Sequence, residues 1–247
     1  MSRSVHRVQL ARAYVLHQRP FRDSSLIIEA FTRDYGRMSM FARAARGPRS
    51  RFAVLQPFRA LLMSWSGRGE APQLAAAENA GATLALPAAR LMSAFYLNEL
   101  LLKLLTRHDP FPELFDQYEA TLAQLGHASS ADVPLRRFEA RLLELIGYGL
   151  NLATEADTGR PVRENGHYQF RPGVHGFVIA EPGCHGAIAG HVLQRLASDA
   201  GLQSETDLRQ ARALMRAALD HCLDGRELTS RSVARSMLNY PRKGSPA

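Results

Sequence analysis

A chain of 247 residues, 46% of them apolar, can bury a sizeable core as one large domain or two ordinary ones. Its two cysteines, Cys184 and Cys222, are too few for a disulfide framework or a four-cysteine zinc site. The net charge of +8 lies entirely in residues 1–80, which hold 13 arginines, no lysine and five acids, while the rest balances 18 bases against 18 acids.

That asymmetry points to a polyanion-binding module on a neutral scaffold. A coding bias towards arginine would explain arginine in place of lysine, but not the missing acids. Residues 1–12 contain no apolar leader core. The apolar run at 97–106 is interrupted by Asn98, Glu99 and Lys103 and is too short for a bilayer. A reducing cytoplasm is the expected compartment, without membrane attachment.

The first third reads as five short strands, at 11–18, 25–32, 37–44, 58–65 and 72–79. Turn signals at Pro20, Asp34–Gly36, Gly47–Pro48 and 67–69 separate them. Residues 37–41 alternate polar and apolar, as a half-buried strand does. Five short strands in about 80 residues fit a small closed barrel of the OB type.

After Pro87 the period becomes helical, with Leu91, Ala94, Phe95, Asn98, Leu101, Leu102 and Leu105 on one spacing and Pro110 as the stop. A second helix is expected over 112–125. A third begins at Asp132 as N-cap, presents Leu135, Phe138, Leu142, Leu145 and Ile146, and closes at Gly147. Residues 150–186, rich in glycine and proline, read as an irregular insert of loops and hairpins. Helices resume over 187–199. Ser204 with Asp207 resembles a capping box for a helix to Leu223 that ends at Gly225, and a short helix covers 230–238. The fold class is α+β: an N-terminal five-stranded OB-fold barrel over 1–82, then a mainly helical domain over 83–247 carrying the insert.

The stretch RAARGPRSR at 43–51 holds four arginines and no carboxylate. It follows the third strand, where a barrel turns. Arg33, Arg37, Arg43, Arg46, Arg49 and Arg51 are expected on one rim, able to pair bidentately with phosphates. Tyr35, Phe41, Phe52 and Trp65 are interleaved with them as candidate stacking rings. The competing reading is a solvated charged loop with the aromatics in the core.

On the helices, Arg209, Arg212 and Arg216 form a stripe, and Arg136, Arg137 and Arg141 decorate the helix from 132. Like charges at these spacings repel by a few tenths of a kcal/mol, which an anionic partner relieves; a solvated face is the alternative. Glu139 and Glu144 lie beside Arg137 and Arg141 and read as ion-pair partners rather than a catalytic pair.

No chemistry-bearing motif stands out: GxSxG, GxxxxGK[ST], GxGxxG, CxxC and HExxH are all absent. His167, His175, Cys184 and His185 lack ligand spacing. Cys222 falls on an apolar helix face with Leu208, Ala211, Met215, Ala218 and Leu219. No metal, cofactor or enzymatic activity is expected, with a Cys184/His185 hydrolase as the weaker alternative.

Several segments together resemble the RecO family of bacterial recombination mediators, over nearly the whole chain. They are AYVLHQRPFRDSSLIIEAFTRDYGR, FARAARGPRSRF, FYLNELLLKLL, LRRFEARLLELIGYGLNL, TGRPV, YQF and GRELTSRS. The resemblance implies binding of single- and double-stranded DNA, annealing of complementary strands, and a nucleoid-associated role. It implies contact with RecR and with the acidic tail of single-stranded-DNA-binding protein. An RNA-binding OB-fold factor is the alternative within the binding class. For the acidic tail, a groove between the helices of 132–146 and 205–223 is expected, edged by Arg136, Arg137, Arg141, Arg209, Arg212 and Arg216. Many members of the family carry a four-cysteine zinc module whose first pair falls near Glu155 and Thr158 here. Neither residue replaces a thiolate, so the insert is expected to be metal-free and held by packing.

Overall fold

The computed structural model describes residues 7–47, 50–67, 69–81, 84–174, 176–198, 201–202 and 204–239. Five strands, β1 (Arg7–Phe21), β2 (Ser25–Thr32), β3 (Gly36–Ala42), β4 (Leu61–Ser66) and β5 (Gln73–Asn79), close into a barrel in the order β1-β2-β3-β5-β4. β3 and β5 run parallel and the other neighbours antiparallel. This is the five-stranded Greek-key arrangement of the OB-fold.

β1 is longer than its sequence pattern predicts because it pairs with both β2 and β4. Register breaks at Val8/Ala11 and Val15/His17 bend it around the barrel. Pro20 lies within the strand, opposite Leu26, and the turn comes at Arg22, whose φ is +54°. The barrel interior alternates methionines with alanines and branched residues: Val15, Ile28, Ala30, Met40, Ala42, Leu61, Met63 and Leu74 are fully buried. β4 shows the cause, with Leu61, Met63 and Trp65 pointing in and their neighbours out.

Helices α1 (Leu91–Leu104), α2 (Pro112–His127), α3 (Asp132–Leu143), α4 (Gly190–Ala197), α5 (Glu205–Leu223) and α6 (Thr229–Asn239) follow. Tyr14, Leu16 and Phe31 from the outer barrel face, with Phe58, join the helices in one core with Phe115, Tyr118 and Phe138. Asn98, on the apolar face of α1, is buried there for a polar reason. Its Nδ2 donates to the Leu16 carbonyl at 3.0 Å, and it accepts from the Tyr118 hydroxyl at 2.6 Å. The barrel's outer wall is therefore tied to the helices by both apolar burial and a satisfied buried amide.

Two helix boundaries differ from expectation. Asp132 is the first residue of α3, not its N-cap; the Ser130 hydroxyl accepts its N–H at 3.2 Å. The regular helix ends at Leu143, and a wider turn over Glu144–Tyr148 ends the segment with Gly147 at φ +84°. At α5 the expected cap is present: Ser204 Oγ accepts the Asp207 N–H at 3.0 Å. Asp224 and Gly225, both at positive φ, stop that helix.

The insert is more regular than its sequence suggests. β6 (His167–Phe170) lies between β7 (Phe177–Ile179) and β8 (Ala187–Ala189) in a three-stranded sheet. Residues 187–189, read as helical, serve that sheet instead. Tyr168, Phe177 and Ile188 carry the sheet into the helical core, a tertiary contact that local periodicity does not reveal.

Candidate nucleic-acid interface

After β3, the described residues 43–47 and 50–52 fold back over the barrel end. Ala45, Phe52 and Leu55 bury into the barrel core. Arg43, Arg46 and Arg51 stay exposed. The Arg46 N–H donates to the Ser24 carbonyl at 2.9 Å, and its guanidinium reaches the Arg22 and Asp23 carbonyls at 3.3 and 3.4 Å. The segment is thereby fastened to the β1–β2 turn, which brings in exposed Arg19 and Arg22. Arg22 lies 5.3 Å from the Phe21 ring centroid and Arg51 lies 4.8 Å from that of Phe52. Among the described residues, none of Arg19, Arg22, Arg43, Arg46 and Arg51 has a carboxylate within ion-pair distance. Arg49 lies outside the described residues.

Arg33 and Arg37 do not join this cluster. They stand at the other end of β3, which at about 3.3 Å per residue is roughly 20 Å away. Arg33 forks onto Asp116 of α2, Nε to Oδ1 at 2.9 Å and Nη2 to Oδ2 at 2.8 Å. Arg37 is largely buried between Glu29, 3.8 Å away, and the Leu102 carbonyl, to which it donates. Burial pulls its guanidinium pKa down, and the nearby charge of Arg107 adds to that. Arg107 closes the group with a 2.5 Å bond to Glu29. Both residues couple the barrel to the helices, so the single rim expected from sequence is divided in two.

The aromatics divide in the same way. Phe52 and Trp65 are each 3% exposed and belong to the barrel core. Tyr35, 36% exposed, packs edge-on against Trp65 at 5.2 Å, at the Arg33 end. The residues at the cluster that sequence reasoning missed are Arg19, Phe21 and Arg22. Their signal was present: RPFRD precedes a turn within the arginine-rich third.

The helical arginines are mostly engaged. Arg136 is buried and pairs with Glu139 at 2.7 Å, while the Tyr96 hydroxyl donates to the same oxygen at 2.6 Å. Burial pushes the Glu139 carboxyl above its ordinary pKa, against the pull of Arg136. Arg141 contacts Glu113 and lies 2.7 Å from Glu144. Arg212 forks onto Asp132 at 3.1 and 2.8 Å, locking α5 to α3. Arg209 reaches Thr206 at 3.1 Å, Arg216 is exposed and Arg137 is half-buried.

Leu135, Phe138, Leu142 and Met215 lie in the core, so the expected groove between α3 and α5 is closed by packing. Two hollows flank α3 instead. One of about 690 Å³ is lined by Arg137, Arg141, Arg195, Leu150, Asn151 and Leu202. The other, about 250 Å³, is lined by Met92, Tyr96, Leu135, Arg212, Arg216 and Ala234.

In the insert, Glu155 and Thr158 meet. The Thr158 hydroxyl donates to Glu155 Oε2 at 2.6 Å, the Tyr168 hydroxyl donates to Oε1 at 3.1 Å, and that hydroxyl accepts the Arg163 N–H at 2.8 Å. The Thr158 bond leads in holding the Glu155 carboxyl below the ordinary range, with Tyr168 adding to it. The two positions that would begin a cysteine pair thus form a polar clasp, so the insert is held by hydrogen bonds as well as packing. Cys184 is exposed, and burial pushes the Cys222 thiol up to about 11. His175 lies outside the described residues. Among the described residues no three His, Cys, Asp or Glu side chains gather as a metal site, and no helix is long and apolar enough to cross a membrane.

Two family models match. Residues 7–81 match the one described as recombination protein O N terminal, and residues 88–232 match recombination protein O C terminal. The chain is 45% identical to the DNA repair protein RecO of Alkalilimnicola ehrlichii over 245 residues, covering 98% of this chain and 96% of that one. It is 44% identical to that of Methylococcus capsulatus, covering 93% and 94%. With that of Nitrosococcus oceani it shares 41%, covering 96% and 98%. An OB-fold barrel with a basic end, helices packed on its wall, and full-length relatives of this kind place the chain in the RecO family of DNA repair and recombination proteins.

Proposed function

We propose that this protein is a non-enzymatic mediator that binds DNA through the basic end of its barrel, anneals complementary single strands, and helps load recombinase onto strands coated by single-stranded-DNA-binding protein. The observation that carries this reading is the cluster of exposed Arg19, Arg22, Arg43, Arg46 and Arg51, none of which has an ion-pair partner among the described residues. Guanidinium groups gathered at one end of the barrel suit phosphates, which accept bidentate hydrogen bonds and release counterions on binding. Annealing needs no bond chemistry. Partial neutralisation of two strands lowers their repulsion while the bases stay free to pair. Arg49, in the same stretch, belongs to the proposed grip by its sequence position.

The helical part would meet the protein partners. For the acidic tail of single-stranded-DNA-binding protein, the 250 Å³ hollow pairs an apolar floor of Met92 and Leu135 with exposed Arg216 and with Arg212, whose guanidinium also holds Asp132 in the same lining. An acidic peptide that ends in an apolar aromatic residue matches that combination. RecR is the second protein partner in this proposal. The test is fluorescence-detected annealing of complementary strands coated with single-stranded-DNA-binding protein. The wild type should accelerate pairing, and Arg43→Ala/Arg46→Ala/Arg51→Ala should not. Equal rates for the two proteins would refute the proposal.

A further inference from the structure

Two aromatic rings belong to neither hydrophobic core. Phe21, the last residue of β1, and Phe41, near the end of β3, are each half-buried. Neither packs into the barrel cluster or the helical cluster. They meet each other instead, with ring centroids 5.3 Å apart and planes at 55°. Strand alternation explains the position of Phe41: Met38, Met40 and Ala42 point into the barrel, so Phe41 points out. In register, Arg19 stands opposite Ile27, Ile27 opposite Phe41, and Phe41 opposite Gln73. Phe21, two residues beyond Arg19, shares its face of β1. Arg22 lies 5.3 Å from the Phe21 centroid, and Arg46 bonds to the Arg22 carbonyl. The ring pair therefore lies within the arginine cluster, on the outer wall of β1, β2 and β3.

A large ring left half in water outside any core contributes less to folding than the same ring buried. Beside the contacts with Arg22 and with each other, each ring keeps part of its surface in water, and that part suits another flat ring, which every nucleobase offers. We propose that Phe21 and Phe41 form a stacking platform for the unpaired bases of a single strand whose phosphates the surrounding arginines hold. This rests on the DNA-binding reading and adds to it a preference for unpaired bases. In a duplex the bases stack on one another and present only phosphates to this surface. The platform thus holds a strand before annealing and loses its hold once pairing is complete, without preference for sequence.

The test uses the full chain with Phe21→Ala, Phe41→Ala, both together, and Phe41→Trp. The probes are a labelled oligothymidylate, an abasic oligonucleotide of equal length, and a duplex. Each alanine variant should lose roughly tenfold in affinity for oligothymidylate, the scale of one stacked base. Affinity for the abasic strand and for the duplex should be unchanged. Phe41→Trp should bind like the wild type, and its emission should be quenched by oligothymidylate but not by the abasic strand. Unchanged binding of all three probes by the alanine variants would overturn the platform, as would an equal loss on all three. The tryptophan variant keeps the question open to test even where an alanine variant melts early, and absence of quenching there counts against the platform. Failure of the unmutated protein to bind any of the three probes would sink the DNA reading itself, and is visible without any substitution.

Discussion

Replacing Arg136 by alanine separates two roles that the sequence leaves open. As a surface ligand for an acidic peptide it should be removable at little cost to stability. The structure makes it one half of a buried pair, with side chains 7% and 0% exposed and 2.7 Å between Arg136 Nη2 and Glu139 Oε1. Glu139 Oε2 and Arg136 Nε have no hydrogen-bond partner among the described residues, so the pair is already incompletely satisfied. Arg136→Ala strands a carboxylate in the core, and breaking a buried pair in this way costs about 3–5 kcal/mol. For a protein of this size each kcal/mol moves the melting temperature by roughly 2–4 °C, so the midpoint should fall by roughly 6–20 °C. Replacing both partners, Arg136→Met with Glu139→Gln, should recover most of that loss, because the uncompensated charge is gone. The assay is thermal unfolding followed by circular dichroism, with exposed Arg209→Ala as the surface control, expected within about 0.5 kcal/mol of wild type. If Arg136→Ala melts like Arg209→Ala, the buried-pair account is wrong and Arg136 returns to the list of surface cations.

Three other outcomes are expected. Thr158→Ala removes the leading hydrogen bond to Glu155, so the Glu155 carboxyl should titrate closer to its ordinary value by carbon-detected NMR and proteolysis within 150–186 should speed up; unchanged titration and proteolysis would contradict the clasp. Asp207 is held below the ordinary carboxylate range, the bonds from His191 and Ser204 outweighing burial, so its contribution is present above the unfolded value and lost as pH falls through the folded one. Burial raises Glu139, so its contribution is present below the unfolded value and is lost as pH rises through the folded one; melting curves across pH should therefore steepen on the acid side for Glu139→Gln and flatten there for Asp207→Asn. Arg216→Glu should weaken an acidic tail peptide about tenfold or more while leaving bare-DNA affinity unchanged, and equal loss of both would show that the hollow is misplaced.

The elements that were legible in sequence are those whose cause is local. The change from period 2 to period 3.6 after Pro87, the Ser204 cap and the left-handed stop at Gly225 are set by neighbours along the chain. So is the alternation of β3. What was not legible depends on distant partners. Residues 187–189 carry helix-compatible alanines, yet they pair with β6, because Ile188 completes a core that includes Tyr168 and Phe177. Arg136 and Arg212 look alike on paper, but Glu139 beneath one and Asp132 beside the other decide that only the second is exposed. Charge counting picks out the basic third of the chain. It did not distinguish Arg33 and Arg37, whose partners Asp116 and Leu102 lie on the helices, from Arg43, Arg46 and Arg51. Arg19 and Arg22 entered the cluster only because the 43–52 segment is fastened to the β1–β2 turn, a contact that strand patterning does not encode.

The central claim, that DNA phosphates are gripped at one end of the barrel, is tested most directly by salt dependence. The affinity for a single strand is measured over a series of salt concentrations for the wild type, for Arg43→Ala/Arg46→Ala/Arg51→Ala, and for Arg33→Ala. Each phosphate contact contributes about 0.7 to the slope of log affinity against log salt on a single strand, so loss of three arginines should flatten it by up to about 2. Arg33→Ala, whose guanidinium is held by Asp116 at the far end of β3, should leave the slope unchanged. An unaltered slope in the triple variant, or equal flattening by Arg33→Ala, would contradict the account.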